Sequence, residues 1–259
     1  MIKRLSSLAC SMFVAAVPLA LAQSPEQKGT DIAVAGHKAN GGWQTEHSTL
    51  TMVLVSAQGD QTTRKLVIDT QEGTSDGDRS RVTFDWPADV KGTRMLTWSH
   101  KDGNDDQWLY LPSIKRVKRI SSSDKSGSFM GSEVAYEDLG SQEPEKYRYK
   151  WLTDAREGER DCWQLERVPV SKTSGYARHV VWVDKEYNVP MRVDYYDRKN
   201  ELLKTSRYSK HQKFGKIWKF GAIEVSNVQT KKKTVLDWTE RQFGTRLDRA
   251  MFEPSALED

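Results

Sequence analysis

The stretch Thr49-Leu-Thr-Met-Val-Leu-Val55 decides the fold class: Leu50, Met52 and Leu54 recur at every second residue, the period of a strand with one buried face. Outward from it the same period returns. After the turn Gln58-Gly59-Asp60 come Leu66 and Ile68 on one face, with Lys65 and Asp69 on the other. A turn cluster over Gly73 to Asp78 leads to Val82, Phe84 and Trp86 alternating with Arg81, Thr83 and Asp85. Arg94 to Ser99 and Gln107 to Leu111 continue the series, and further strand patterns run from Tyr147 to Trp238. Evenly spaced strands joined by turns predict an antiparallel meander. Upstream, Ser24-Pro25-Glu26-Gln27 reads as a capped helix start. That helix is expected to reach about Asn40, bury Ile32, Ala35 and Ala39, and stop at Gly41-Gly42. One helix and roughly ten strands describe a strongly curved sheet or open barrel with helices on one side.

The strand pattern fails once, between Ser121 and Gly140, where Phe129-Met130-Gly131 stands inside a polar, serine-rich run. A loop of this length in a compact domain is usually functional or mobile.

The first 22 residues have the layout of a cleaved export signal. Lys3 and Arg4 precede an apolar run from Leu8 to Leu21, and Ala20-Leu21-Ala22 offers a cleavage site before Gln23. Residues 23–259 are then expected to form one domain acting in the periplasm. Cys10 lies early in the signal rather than after its apolar run, which speaks against lipidation, and Cys162 alone is left, so no intrachain disulfide is expected. The whole chain carries 40 basic and 36 acidic residues; without Lys3 and Arg4 it is close to neutral, which gives no support to nucleic-acid binding.

Nothing in the pattern predicts catalysis or a metal or other cofactor. The five histidines have no metal-ligand spacing. Asp102-Gly-Asn-Asp-Asp106 lacks the spacing of a calcium loop and suits a hairpin turn. Lys115-Arg116-Val117-Lys118-Arg119 reads either as a solvated edge strand or as a contact for an anionic headgroup or partner. The nine Trp, nine Tyr and seven Phe fill either a core or the walls of an apolar cavity.

Four blocks together carry a resemblance: Asp105-Asp-Gln-Trp-Leu-Tyr-Leu-Pro112, Lys115-Arg-Val-Lys-Arg-Ile120, Ser126-Gly-Ser-Phe-Met-Gly-Ser132 and Tyr136-Glu-Asp-Leu139. Trp86-Pro-Ala-Asp-Val-Lys-Gly92 and Phe252-Glu-Pro254 fit as well. The chain resembles LolA-like periplasmic proteins, the "outer membrane lipoprotein-sorting protein" group related to the carriers LolA and LolB. The resemblance implies an unclosed antiparallel β-barrel, a half-pipe of about eleven strands with helices as a lid, and a non-enzymatic, monomeric carrier of lipid or lipoprotein acyl chains. It also suggests an RND- or MMPL-type inner-membrane exporter as partner; the alternative is an adaptor of such an exporter that carries nothing. On this reading Leu50, Met52, Leu54, Leu66, Ile68, Val82, Phe84, Trp86, Trp108 and Tyr110 line the cavity. Phe129 and Met130 would tip a mobile lid or handover surface, and Lys115, Arg116, Lys118 and Arg119 would meet a headgroup or partner.

Overall fold

The computed structural model describes residues 23–258; the expected export signal lies outside them. Pro25–Ala39 forms α1, with Ser24 Oγ accepting from Gln27 N at 3.1 Å as the cap. A meander follows: β1 (Thr45–Val55), β2 (Gln61–Gln71), β3 (Arg79–Trp86), β4 (Arg94–Trp98), β5 (Asp106–Leu111) and β6 (Arg116–Arg119). After an irregular crossing segment, a second meander runs through β7 (Tyr147–Glu157), β8 (Arg160–Pro169), β9 (Tyr176–Asp184), β10 (Pro190–Asp197) and β11 (Leu202–Ser209). A small hairpin, β12 (Gln212–Phe214) and β13 (Ile217–Lys219), precedes β14 (Ala222–Asn227) and β15 (Lys233–Phe243).

Thirteen strands form one antiparallel sheet in the order β6-β5-β4-β3-β2-β1-β15-β14-β11-β10-β9-β8-β7. Its two end strands do not pair with each other, so the barrel is unclosed. β15 alone joins the two meanders, pairing with β1 on one side and β14 on the other.

The curvature follows from two hydrogen bonds. Gln107 on β5 donates to Tyr136 O at 2.7 Å, and Lys204 on β11 donates to Asp138 Oδ2 at 2.6 Å. β5 and β11 stand seven positions apart in the sheet. Seven spacings of about 4.8 Å would separate them by about 34 Å if the sheet were flat. Both reach the same three residues, so the sheet curls around the crossing segment.

That segment packs inside rather than capping the outside. Phe129 is 1% exposed, with its ring 5.6 Å from Phe84 and 5.8 Å from Tyr136. Met130 (φ 51°) and Gly131 (φ 76°) turn the chain back so that Phe129 N donates to Val134 O at 2.8 Å. The segment's helical turns are short and of the 3-10 type: Phe129–Gly131, Tyr136–Leu139 and Pro144–Lys146. Phe129, expected at the tip of a lid or handover surface, is buried instead: an aromatic side chain of this size is held where it removes most surface from water.

α1 lies against β7 through glycine, not alanine. Gly29, Ile32 and Gly36 are its buried residues, while Ala35 and Ala39 face outward. A Cβ on Gly29 would stand 2.7 Å from Trp151 N, so only glycine lets the helix axis come this close.

Candidate functional site

The concave face of the sheet has two halves of different character. Over β1 to β5 it is filled: Leu50, Met52, Leu66, Val82, Phe84, Met95 and Leu109 pack with Phe129, with Leu54, Ile68 and Met130 against them. Over β7 to β11 it is hollow. A cavity of about 880 Å3 lies between this half, α1 and the chain from Glu137 to Tyr147.

Of the ten residues expected to line a cavity, none borders this one. Seven of them, Leu50, Met52, Leu54, Leu66, Ile68, Val82 and Phe84, form the plugged half described above. Trp108 and Tyr110 point to the opposite face, where they pack around Leu96 with Phe252, Leu257 and Val117. The C-terminal turns Arg249–Phe252 and Pro254–Leu257 cover that face, and Trp98 Nε1 donates to Phe252 O at 2.7 Å. Trp86 is 50% exposed. A register shift places Trp86 opposite Lys65 and Phe84 opposite Leu66, and such a bulge breaks the inward-outward alternation. The basic residues are where an edge strand would put them: Lys115, Arg116, Lys118 and Arg119 are exposed on and beside β6, one end of the sheet. Arg119 also pairs with Asp106.

The hollow half is organised by one row of cross-strand neighbours: Tyr149 on β7, Arg167 on β8, His179 on β9, Tyr195 on β10 and Lys204 on β11. Arg167 Nε donates to His179 Nδ1 at 2.9 Å, and the Tyr147 ring centre lies 4.4 Å from its guanidinium carbon. His179 is 2% exposed. Burial, with Arg167 and Lys204 nearby, pushes its pKa well below the usual 6.5, so the ring is neutral. Burial likewise pushes the phenols of Tyr147, Tyr149 and Tyr195 upward, and they stay protonated. Lys204 is neutralised by Asp138 at 2.6 Å and also donates to Glu133 O at 2.9 Å.

Apolar walls complete the hollow. Leu165, Val181, Val183 and Val193 come from the strands, and Ile32 and Ala33 from α1. Asn40, just past α1, donates to Tyr187 O and Asn188 O, both at 3.1 Å, and accepts from Trp218 N at 2.7 Å. This ties the helix end to the cavity wall. At the rim, Asp105 accepts from Lys146 at 2.7 Å, so the Asp102–Asp106 turn braces the crossing segment. Cys162 is a free, buried thiol. Among the described residues no three His, Cys, Asp or Glu side chains converge as a metal site.

An open antiparallel sheet curled around an interior cavity beneath one helix is the architecture of the LolA superfamily. A LolA superfamily protein from Nitrosomonas europaea superposes with a TM-score of 0.71 at 17% identity, over 88% of this chain and 98% of that one. A domain from Vibrio parahaemolyticus, described as that of an outer membrane lipoprotein-sorting protein, matches with a TM-score of 0.88 at 43% identity, over 90% of this chain and 100% of that one. A DUF1329 family protein from Desulfovibrio piger gives 0.87 at 33% identity, over 91% and 100%. A family model whose description reads "uncharacterized protein" matches residues 76–259. A search of curated proteins gives no significant match. The chain belongs to the family of these lipoprotein-sorting and DUF1329 proteins, and its fold is LolA-like.

Proposed function

We propose that this protein is a periplasmic carrier that shelters the acyl part of a lipid or lipoprotein in the cavity beneath α1, and moves it between an inner-membrane partner and the outer membrane. The observation that carries this reading is the hollow itself: one half of the concave face is packed solid, and the other encloses about 880 Å3. Cavities of about 300–1,000 Å3 are the size class of small-molecule sites. Each methylene removed from water contributes roughly 0.8 kcal/mol, so a partly apolar hollow is enough to hold an acyl chain in an aqueous compartment. The likeness to the lipoprotein-sorting domain of Vibrio parahaemolyticus supports the same reading. The free basic strand β6 would meet anionic headgroups or the membrane partner, an exporter of the RND or MMPL type.

The test is native mass spectrometry with lipid extraction on protein isolated from its own periplasm. A stoichiometric bound lipid supports the carrier. A protein that is empty and also takes up no fluorescent acyl probe is no carrier, and is better read as an exporter adaptor.

A further inference from the structure

Two cations stand on the concave face in one cross-strand row, and only one has a counter-charge. Lys204 is bound by Asp138. Arg167 gives Nε–H to a neutral imidazole, and no carboxylate lies within ion-pair distance of it among the described residues. A guanidinium has five N–H donors, so four of them are left. Its terminal nitrogens are not among the sealed atoms without a partner; they border the cavity. The face of Tyr147 offers a cation–π contact but no negative charge. Of the nearby acids, Asp105 is held by Lys146 and Glu137 by Ser174 and Gly175 N, while Glu143 accepts from Ser141 Oγ with one oxygen and stands 3.7 Å from His37 Nε2 with the other. A half-buried guanidinium without a counter-charge, turned into a cavity, is the group there best placed to meet an anion.

Resting on the carrier reading above, we propose that the cavity selects a monoanionic amphiphile, a long-chain carboxylic acid, whose carboxylate forms a bidentate pair with Arg167. The guanidinium fork matches a planar carboxylate. The protonated phenol of Tyr149 lines the same end of the hollow and can add an O–H donor, whereas the Tyr147 hydroxyl already donates to Gln142 Oε1 at 3.0 Å. The tail then lies along Leu165, Val181, Val183 and Val193 toward Ile32 on α1. Within this row a dianionic phosphate would find no second free cation, because Lys204 is already taken by Asp138. The acyl groups of a lipoprotein are esters and amides and carry no charge for Arg167 to meet.

The experiment is calorimetric binding of palmitate, methyl palmitate and hexadecyl phosphate to the delipidated mature protein and to its Arg167→Met and Arg167→Lys variants. Palmitate is expected to bind at least about tenfold more tightly than its ester, the effect of one charge-assisted hydrogen bond. Arg167→Met should remove that preference, bringing acid and ester to similar affinity, while Arg167→Lys keeps part of it. Equal binding of acid and ester, or a preference that survives Arg167→Met, overturns the carboxylate proposal and leaves the carrier standing. Tighter binding of hexadecyl phosphate overturns the choice of headgroup. Binding of neither acid, ester nor phosphate overturns the carrier reading, and this proposal with it. If Arg167→Met does not fold, the acid–ester comparison on the unaltered protein decides alone.

Discussion

Arg167 Nε donates to His179 Nδ1 across the β8–β9 pairing at 2.9 Å, so the one ring proton of His179 sits on Nε2, which meets no acceptor. The imidazole is thereby held as a neutral acceptor behind the guanidinium, and it aims the terminal N–H groups of Arg167 into the hollow.

The first prediction is a pH effect on stability. The folded pKa of His179 is far below 6.5, whereas the unfolded chain takes up this proton near 6.5. The contribution is complete above that pH and is lost as the pH falls below it. His179→Gln keeps an acceptor for Arg167 and removes the titration. Urea midpoints measured between about pH 5 and 7 should fall less steeply with acid in the variant. Parallel curves would assign the acid loss to other groups.

Asp78 works with the opposite sign. Burial raises its carboxyl from 3.8 to about 6, so the folded state favours the neutral form and stability declines as pH rises through that window. Asp78→Asn, which keeps an acceptor for Gly73 N, should stabilise the protein at pH 7 by about 3 kcal/mol and change little at pH 4. Denaturation at both pH values checks it.

Lys204 is 3% exposed and Asp138 lies beside it. Removing one partner of a buried pair typically costs about 3–5 kcal/mol. Lys204→Met should lose that much, with the crossing segment becoming open to protease. The double variant with Asp138→Asn should recover part of the loss, because no charge is then left unpaired. Chemical denaturation of the three variants gives the coupling.

Phe129→Ala should cost about 3–5 kcal/mol and leave acyl binding intact, because Phe129 fills the plugged half and not the hollow one. A combined Phe129→Asp and Met130→Asp change would bury a carboxylate beside Phe84, so its effect on any partner would report unfolding. Thermal melts alongside probe binding separate the two effects.

Gly29→Ala places a methyl group 2.7 Å from Trp151 N and 2.8 Å from Lys150 C, neither of which can yield. The expected cost is about 1–3 kcal/mol, felt as faster hydrogen exchange along α1 and a more open cavity. Val34→Ala, on the exposed side of the same helix, is the control and should change neither.

The strands were legible because alternation at Leu50, Met52 and Leu54, or at Val82 and Phe84, is a local property of the chain. Period two assigns residues to two faces but does not say which face is concave. Trp108 and Tyr110 sit on the convex side because the distant turns at Phe252 and Leu257 cover them there. The bulge that exposes Trp86 is equally silent, since it is a mismatch between two strands and belongs to neither alone. The polar row was missed for a related reason. Tyr149, Arg167, His179 and Tyr195 come from four strands, and only their register makes them neighbours. The available signal was Arg167, two residues beyond Leu165 and on its face of β8. α1 was found from its cap and Ile32 is buried as expected, but Ala35 and Ala39 are not, because close approach to β7 at Gly29 and to Asn188 at Gly36 required glycine where an apolar pattern favours alanine.

β15 has a consequence for the order in which the molecule is made. Each meander pairs strands that follow one another closely in the chain, so both can form while synthesis is still under way. The seam between them waits for Lys233–Phe243, whose partner β1 was made nearly the whole chain earlier. Until then β1 and β14 each present an unpaired edge, the template on which chains aggregate. The late arrival of one eleven-residue strand both joins the two halves of the sheet and ends that exposure.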